Sequence, residues 1–378
     1  MSKKIVIIYA TAGIGHKKAA MAVKKALDEI APKDVETTLI DALDYTNPFF
    51  KWSYLEFYLL MVNKLPTFWG ISYYLTDNFY VNLIVSKVRR FSNWLNSKKL
   101  AKYLIDTKPD VVISTHFFAS EVIGDMKAAH QLDAKLITVI TDFKLHSWWI
   151  APCTDMYVVA GEDTKKDLLK WKVDESRIKV FGIPAEPVFS KSLDRNKIFN
   201  ENGLKEGVFT ILVIGGGFGV GPIEGIIKVI KEIKEPLQVV VVCGHNDTLV
   251  RKIVDLKEGA KAHIKVLGFV DNVYEYMGIS DILISKAGGI TVSESLAKEL
   301  PMIVIAPIIG QETRNSDFIV SHGAAFKIDC LCGLKSVLED LIAHPEKMNK
   351  TREAIRSIKK PMACYDTAKL AMSMDEEQ

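Results

Sequence analysis

The chain has 378 residues, 48% of them hydrophobic and 25% charged, with a formal net charge of +3. At roughly 150 residues per domain this is two domains or three, each able to bury its own core, and the apolar content excludes a disordered chain. Five cysteines, an odd and sparse set with no Cys-X-X-Cys pair, exclude a disulfide scaffold and suit a reducing cytoplasm, while the small net charge argues against nucleic acid as the main partner.

The opening MSKKIVIIYATAGIGHKKAA mimics a signal peptide, but Thr11, Gly13 and Gly15 break its apolar core and a basic helix follows, so it reads as strand, loop, helix. TAGIGHKKAA (11 to 20) sets His16 at a helix start directly after a glycine turn. An imidazole there is suited to general-base work near neutral pH, although a histidine in that place can also merely cap. After the strand VETTLI (35 to 40) comes an unusual window. Between Tyr45 and Tyr103 there are eight basic residues against Glu56 and Asp77, and sixteen of the chain's 35 aromatic residues. Rings beside cations suit a headgroup zone, and a large helical insertion packed on its own sheet would account for part of the same pattern.

The strands DVVIST (110 to 115), KLITVIT (135 to 141) and MYVVA (156 to 160) complete a first αβ series. Its strand ends offer His116 in THFFAS, then Asp142, His146, Trp148 and Trp149 in TDFKLHSWW. Asp142 could orient a histidine or act as base, and the tryptophans could pack on a lipid or fill the core. The aperiodic stretch GIPAEPVFSKSLDRNKIFNENG puts a boundary near 185 to 205, which gives expected domains of 1–190 and 191–360, with 361–378 a C-terminal helix free to return to the first. No repeat or low-complexity segment occurs.

The second series runs FTILVIG (209 to 215), LQVVVVCG (237 to 244), IKVLGF (264 to 269), DILIS (281 to 285), PMIVIAP (301 to 307) and AFKI (325 to 328). Short apolar runs alternating with helical patterns are the mark of βαβ units, so the fold class is α/β, two doubly wound Rossmann-like domains with a crevice at the carboxyl ends of their strands. GGGFGVGP (215 to 222) opens a helix. Its glycines let amides approach a phosphate, and the helix N-terminus adds positive charge, although such turns also serve plain packing. In KAGGITVSE a helix starting near Thr291 would carry Glu294 in its first turn, either accepting both hydroxyls of a ribose or standing as an ordinary helix-start glutamate. In GQETRN, Gln311, Glu312 and Asn315 open the next helix with groups that match sugar hydroxyls, or that cap.

Several chemistries are missing from the sequence. No Asp-X-Asp triplet is present for a divalent metal, no GK[ST] ending for a P-loop, no GxSxG for a serine nucleophile and no HExxH for zinc. The longest uncharged stretch, Gly207 to Ile223, carries six glycines in 17 residues, so no transmembrane segment is expected.

Taken together, GGGFG, KAGGITVSE and GQETRN in the second half, with TAGIGHKKAA and TDFKLHSWW in the first, resemble the GT-B glycosyltransferases of family 28, specifically the lipid-acceptor branch of monogalactosyldiacylglycerol synthase and processive diacylglycerol glucosyltransferase type. Similarity runs from residue 3 to about 345. The resemblance implies that Gly215, Gly216, Gly217, Phe218, Gly219, Lys286, Ala287, Gly288, Gly289 and Thr291 surround a diphosphate and that Glu294 binds the ribose. It assigns Phe269 and Val270 to the nucleotide-sugar site, and Gln311, Glu312 and Asn315 to the sugar. It implies His16 as base with Asp142 nearby, and Gly15, His116, His146, Trp148 and Trp149 on the acceptor side. The loop reads GIGH rather than three glycines before the histidine, and Arg314 stands where many relatives carry glycine. The implied activity is inverting transfer of a hexose from a UDP-sugar to the hydroxyl of 1,2-diacylglycerol, without metal or cofactor. It would occur on the inner face of the cell membrane, reached through residues 45–103. N-acetylglucosaminyl transfer to a lipid-linked muramoyl peptide, a non-catalytic UDP-sugar sensor and a sugar-nucleotide epimerase remain as alternatives.

Overall fold

The computed structural model describes residues 2–374 apart from 12, 218 and 220. The chain divides into two compact units, Met1–Pro187 with Ile309–Gln311 and Lys360–Gln378, and Val188–Ile308 with Glu312–Lys359.

In chain order the first unit contains β1 (Lys3–Tyr9), α1 (Ile14–Ile30), β2 (Val35–Asp41), α2 (Pro48–Lys64), α3 (Pro66–Thr76), α4 (Phe79–Asn96), α5 (Lys98–Thr107), β3 (Val111–Ser114), α6 (Phe117–Ala128), β4 (Lys135–Val139), β5 (Met156–Val158), α7 (Glu162–Lys170) and β6 (Ile178–Lys179). Its sheet is parallel throughout, ordered β2-β1-β3-β4-β5-β6. The two-residue β6 is an addition to the strands expected from sequence; such a short run has no periodicity to read. Ile5, Ile7, Val111, Ile113, Ile137 and Val139 fill one face of the sheet against Ala20, Val23, Ala26 and Leu27 of α1. The small alanines bring that helix close to the β-branched layer.

The second unit contains α8 (Arg195–Glu201), β7 (Phe209–Ile214), α9 (Ile223–Ile230), β8 (Leu237–Val242), α10 (Asp247–Leu256), β9 (His263–Leu267), α11 (Val273–Ile279), β10 (Ile282–Ser285), α12 (Gly289–Ala297), β11 (Met302–Ile305), α13 (Gln311–Ser321), β12 (Ala325–Ile328), α14 (Leu334–Ala343) and α15 (Pro345–Ile358). Its parallel sheet is ordered β12-β11-β10-β7-β8-β9. The last helix, α16 (Ala363–Ser373), belongs to the first unit, where Cys364, Ala368 and Ala371 join the core beside α1.

Both sheets are doubly wound. In the first the winding reverses between β1 and β3, and in the second between β7 and β10, so the loops after those strands splay apart and leave a ligand crevice at the carboxyl edge. The topology therefore fixes two places for chemistry before any side chain is considered.

The window 45–103 folds into α2 to α5. Asn47 and Asn78 start α2 and α4 by accepting backbone amides, Phe49 N at 2.9 Å and Tyr80 N at 3.0 Å. Of the 23 exposed large apolar side chains among the described residues, 17 lie between Phe49 and Leu95. The cations of the window are less available than their number suggests. Arg89 meets Glu121, Arg90 meets Asp125, Lys51 meets Asp44 and Lys102 meets Asp106, so four of the eight are already paired.

No described helix is long and apolar enough to cross a membrane. Cys330 and Cys332 are joined by a disulfide across one intervening residue, a link the sequence reading did not include, and Cys153, Cys243 and Cys364 are free.

Candidate active site

At the first switch point the loop after β1 passes directly into α1, and Gly15 and His16 fall in the first helical turn. Asp41, at the end of β2, braces this loop by accepting Thr11 N at 3.3 Å and the Thr11 hydroxyl. His16 is partly buried, with its Nδ1 edge turned inward. Its Nδ1 lies 2.8 Å from the Thr115 carbonyl oxygen and 3.0 Å from Thr141 Oγ1. A carbonyl can only accept, so Nδ1 carries the proton and the lone pair is on Nε2. Burial drives the imidazole pKa down from 6.5 to about 4, against a smaller opposing effect of the Thr115 carbonyl. The result is a neutral ring with a fixed tautomer, competent to take a proton at Nε2. Thr115 and Thr141, at the ends of β3 and β4, supply this orientation. The sequence reading named their neighbours but not them, because a threonine in a strand reads first as β-former.

His116 stands edge-on to His16, ring centroids 4.4 Å apart. Its Nδ1 accepts Phe118 N at 3.1 Å and caps α6, and burial with the nearby His16 lowers its pKa well below the usual value. Asp142 accepts the Trp149 indole N–H at 3.2 Å, and Trp149 itself is only 2% exposed, a core residue. His146 accepts Trp148 N at 3.2 Å through Nδ1 and donates through Nε2 to the Tyr73 carbonyl at 2.9 Å. Both its ring nitrogens are therefore used, Nδ1 within its own loop and Nε2 to hold α3. Trp148 is half-buried among Trp69, Tyr73, Phe117 and His146. On the other side of α3, an open cavity of about 630 Å³ is lined by Thr67, Gly70, Ile71, Tyr74, Leu75, Asn78, Val81 and Ile309.

At the second switch point Ser285 Oγ donates to the Ile214 carbonyl at 2.8 Å and ties the end of β10 to the end of β7. The glycine loop after β7 is locked against the loop after β8. Gly219 has φ +61° and a Cβ there would sit 2.2 Å from the Cys243 carbonyl oxygen, while Gly244 has φ +60° and would meet the Gly217 oxygen at 2.4 Å. Only glycine fits either place. His245 N donates to Gly217 O at 3.0 Å, and the His245 ring stacks on exposed Phe269, centroids 4.2 Å apart and 11° from parallel. The loop ends after β7, β8 and β9 thus meet, with Val270 next to the stack. His245 was not anticipated, since an isolated loop histidine carries no pattern. Phe218 lies outside the described residues.

The loop after β10 is Lys286, Ala287 and Gly288. α12 begins at Gly289, two residues before the expected start near Thr291, so Glu294 sits in the second turn rather than the first, and it is buried. A non-helical Gly288 before the first turn makes the earlier start possible. The Gly288 position faces Glu312 Oε1 and Thr291 Oγ1, each 3.9 Å from where a Cβ would be, and Lys286 Nζ stands 3.9 Å from Glu312 Oε1. Glu312 Oε2 accepts Ile308 N at 2.8 Å. Burial raises the Glu312 pKa, opposed by Lys286 and by that backbone donor. Asn315 Nδ2 donates to the Ala287 carbonyl at 3.1 Å. Lys286, Gly288, Thr291, Glu312 and Asn315 therefore form one cluster. Gln311 begins α13 immediately before it.

Two parallel Rossmann-like sheets, each with polar and glycine loops gathered at its switch point, define the GT-B class, and the solved MurG of Acinetobacter baumannii shares this fold (TM-score 0.64, 15% identity, covering 98% of this chain and 100% of that one). Residues 16–185 match the monogalactosyldiacylglycerol (MGDG) synthase family, and residues 210–369 match the glycosyltransferase family 28 C-terminal domain. The processive diacylglycerol beta-glucosyltransferase of Bacillus pumilus is 30% identical over 366 residues, 94% of this chain and 91% of that protein. Its namesake from Staphylococcus epidermidis is 30% identical over 352 residues, 92% and 86%. The chain belongs to this family of glycosyltransferases.

Proposed function

We propose that the protein transfers glucose from UDP-glucose to the free hydroxyl of 1,2-diacylglycerol, with inversion, giving a β-glucosyl-diacylglycerol. The similarity of nearly the whole chain to diacylglycerol beta-glucosyltransferases carries this reading. The neutral, oriented imidazole of His16 supports it. Nε2 of His16 takes the hydroxyl proton as the oxygen attacks the anomeric carbon from the face opposite the nucleotide. The Thr115 carbonyl and the Thr141 hydroxyl hold the ring through the transfer, and Asp142 keeps Trp149 packed beside it. The leaving diphosphate is received by the glycine loop at 215–219 and by Lys286, whose Nζ stands 3.9 Å from Glu312 Oε1. Glu294 takes the ribose hydroxyls; Gln311, Glu312 and Asn315 take the sugar. No step requires a metal.

The acceptor is insoluble, so the first unit works at a bilayer. Exposed rings of α2 to α4 enter the headgroup zone of the cell membrane's inner face, and the cavity along α3 accepts acyl chain. With half of the counted cations paired, binding depends more on apolar insertion than on charge. Product analysis by mass spectrometry after incubating diacylglycerol vesicles with each UDP-sugar in turn tests the reading: hexosyl-diacylglycerol from UDP-glucose supports it, and UDP release without lipid product refutes it.

A further inference from the structure

Arg89 lies on the inner face of α4 and is gripped by Glu121 of α6. Its Nε reaches the two carboxylate oxygens at 3.2 and 3.0 Å, its Nη2 reaches Oε1 at 2.8 Å, and Asn93 Nδ2 adds a donor at 2.7 Å. Glu121 is 3% exposed, so this is a buried pair whose charges cancel. One donor atom is left over. Arg89 Nη1 is buried and has no hydrogen-bond partner among the described residues, and the same is true of Trp148 Nε1. The two side chains are neighbours, the guanidinium carbon lying over the Trp148 ring 5.9 Å from its centroid.

Both atoms can only donate, so neither can satisfy the other, and an unmade buried donor is costly enough to require an explanation. What completes the set is an acceptor. Glu121 already neutralises the guanidinium, so a phosphate would bring a second anion onto one cation in a poorly hydrated place, whereas an uncharged oxygen would not. Trp69, Tyr73 and Phe117 surround Trp148, so that oxygen arrives on an apolar molecule. It has a route, because α4 is a surface helix with Asn93 as its one buried residue, and Arg89 keeps 18% of its side chain exposed. Ring contacts run from Trp148 through Phe117 and His116 to His16, which connects the place to the proposed base.

We infer that Arg89 Nη1 and Trp148 Nε1 bind the ester carbonyl of a glycerolipid. The inference rests on the diacylglycerol reading and adds to it a recognition element for the ester linkage, which the transfer chemistry itself does not need. The carbonyl comes from the acceptor or from a neighbouring bilayer lipid.

The test compares KM for 1,2-dioleoylglycerol with KM for 1,2-di-O-oleylglycerol, which lacks both carbonyls, each presented in ether-linked and in ester-linked phosphatidylcholine. In the ether-linked matrix the wild type should show a diacyl KM about tenfold lower, the worth of roughly one good hydrogen bond. Arg89→Lys keeps a cation for Glu121 but has no Nη1, and Trp148→Phe keeps the ring without the N–H; in each the ratio should fall toward one. Preference that follows the matrix lipid, and is lost in the same variants, assigns the carbonyl to the bilayer. Equal KM in all four combinations, or a ratio that survives in the variants, overturns the inference. If Arg89→Lys does not fold, Trp148→Phe decides. No transfer to either glycerol lipid would remove the functional reading and this inference with it, while equal transfer removes the inference alone.

Discussion

Acid tests the environment of His16 directly. Burial places its pKa at about 4, against 6.5 for the free side chain. Between those values the unfolded chain binds a proton that the folded chain refuses, so stability rises with pH across the window: the contribution is complete above pH 6.5 and is lost as pH falls through 4. A difference of roughly 2.5 pH units corresponds to about 3 kcal/mol. His116, lowered by burial as well, acts in the same direction. The measurement is the urea midpoint of the wild type and of His16→Gln at pH 7 and pH 4.5. Glutamine keeps a donor for the Thr115 carbonyl and cannot titrate, so the variant should lose about 2 to 3 kcal/mol less than the wild type on acidification. Activity should agree: the acid limb of kcat/KM assigned to this ring should lie near pH 4, and His16→Ala should lower transfer about 10²- to 10⁴-fold with UDP affinity nearly intact. A limb near 6.5, with midpoints that fall in parallel, would show a solvated imidazole and refute the argument.

Three further outcomes are expected. Glu294→Ala should weaken UDP-glucose binding by about tenfold or more in titration calorimetry, the loss of a charged hydrogen bond; unchanged affinity would remove its ribose role. Gly219→Ala places a methyl 2.2 Å from the Cys243 carbonyl at φ +61°, and should lower Tm by several degrees and abolish donor binding, whereas a normal melt with normal affinity would show that the loop relaxes freely. Phe91→Glu with Trp94→Glu on α4, both positions about 60% exposed, should cut vesicle binding at least tenfold in sedimentation without lowering Tm. Raising salt from about 50 to 500 mM should weaken binding less than this, because Arg89, Arg90, Lys51 and Lys102 are paired; the opposite ranking would make charge the main attraction.

Much of the candidate site was legible in the sequence because the residues proposed for it follow strands. GGGFG, KAGG, GQETRN, GIGH and TDFKLHSWW all stand at ends of apolar runs, and a doubly wound sheet collects such ends at one edge. The readings that changed depended on local geometry. Glu294 moved from first to second turn because α12 begins at Gly289, and the cationic window lost half its free charge to Glu121, Asp125, Asp44 and Asp106, all of which lie outside it, the first two in α6.

Local spacing and residue chemistry were enough to settle the α/β alternation, the glycine turns and the polar groups that follow them, since each depends on neighbours within a few positions. The tautomer of His16, the use of both nitrogens of His146, the stack of His245 on Phe269 and the leftover donors of Arg89 and Trp148 depend instead on which strand lies beside which. Thr115 is 99 residues from His16 and Thr141 is 125 away, yet they share one hydrogen-bonding centre because β1, β3 and β4 are neighbours in the sheet. Spacing along a chain records period and turn, whereas hydrogen-bond saturation and desolvation follow distance in space, and only the folded sheet supplies those distances.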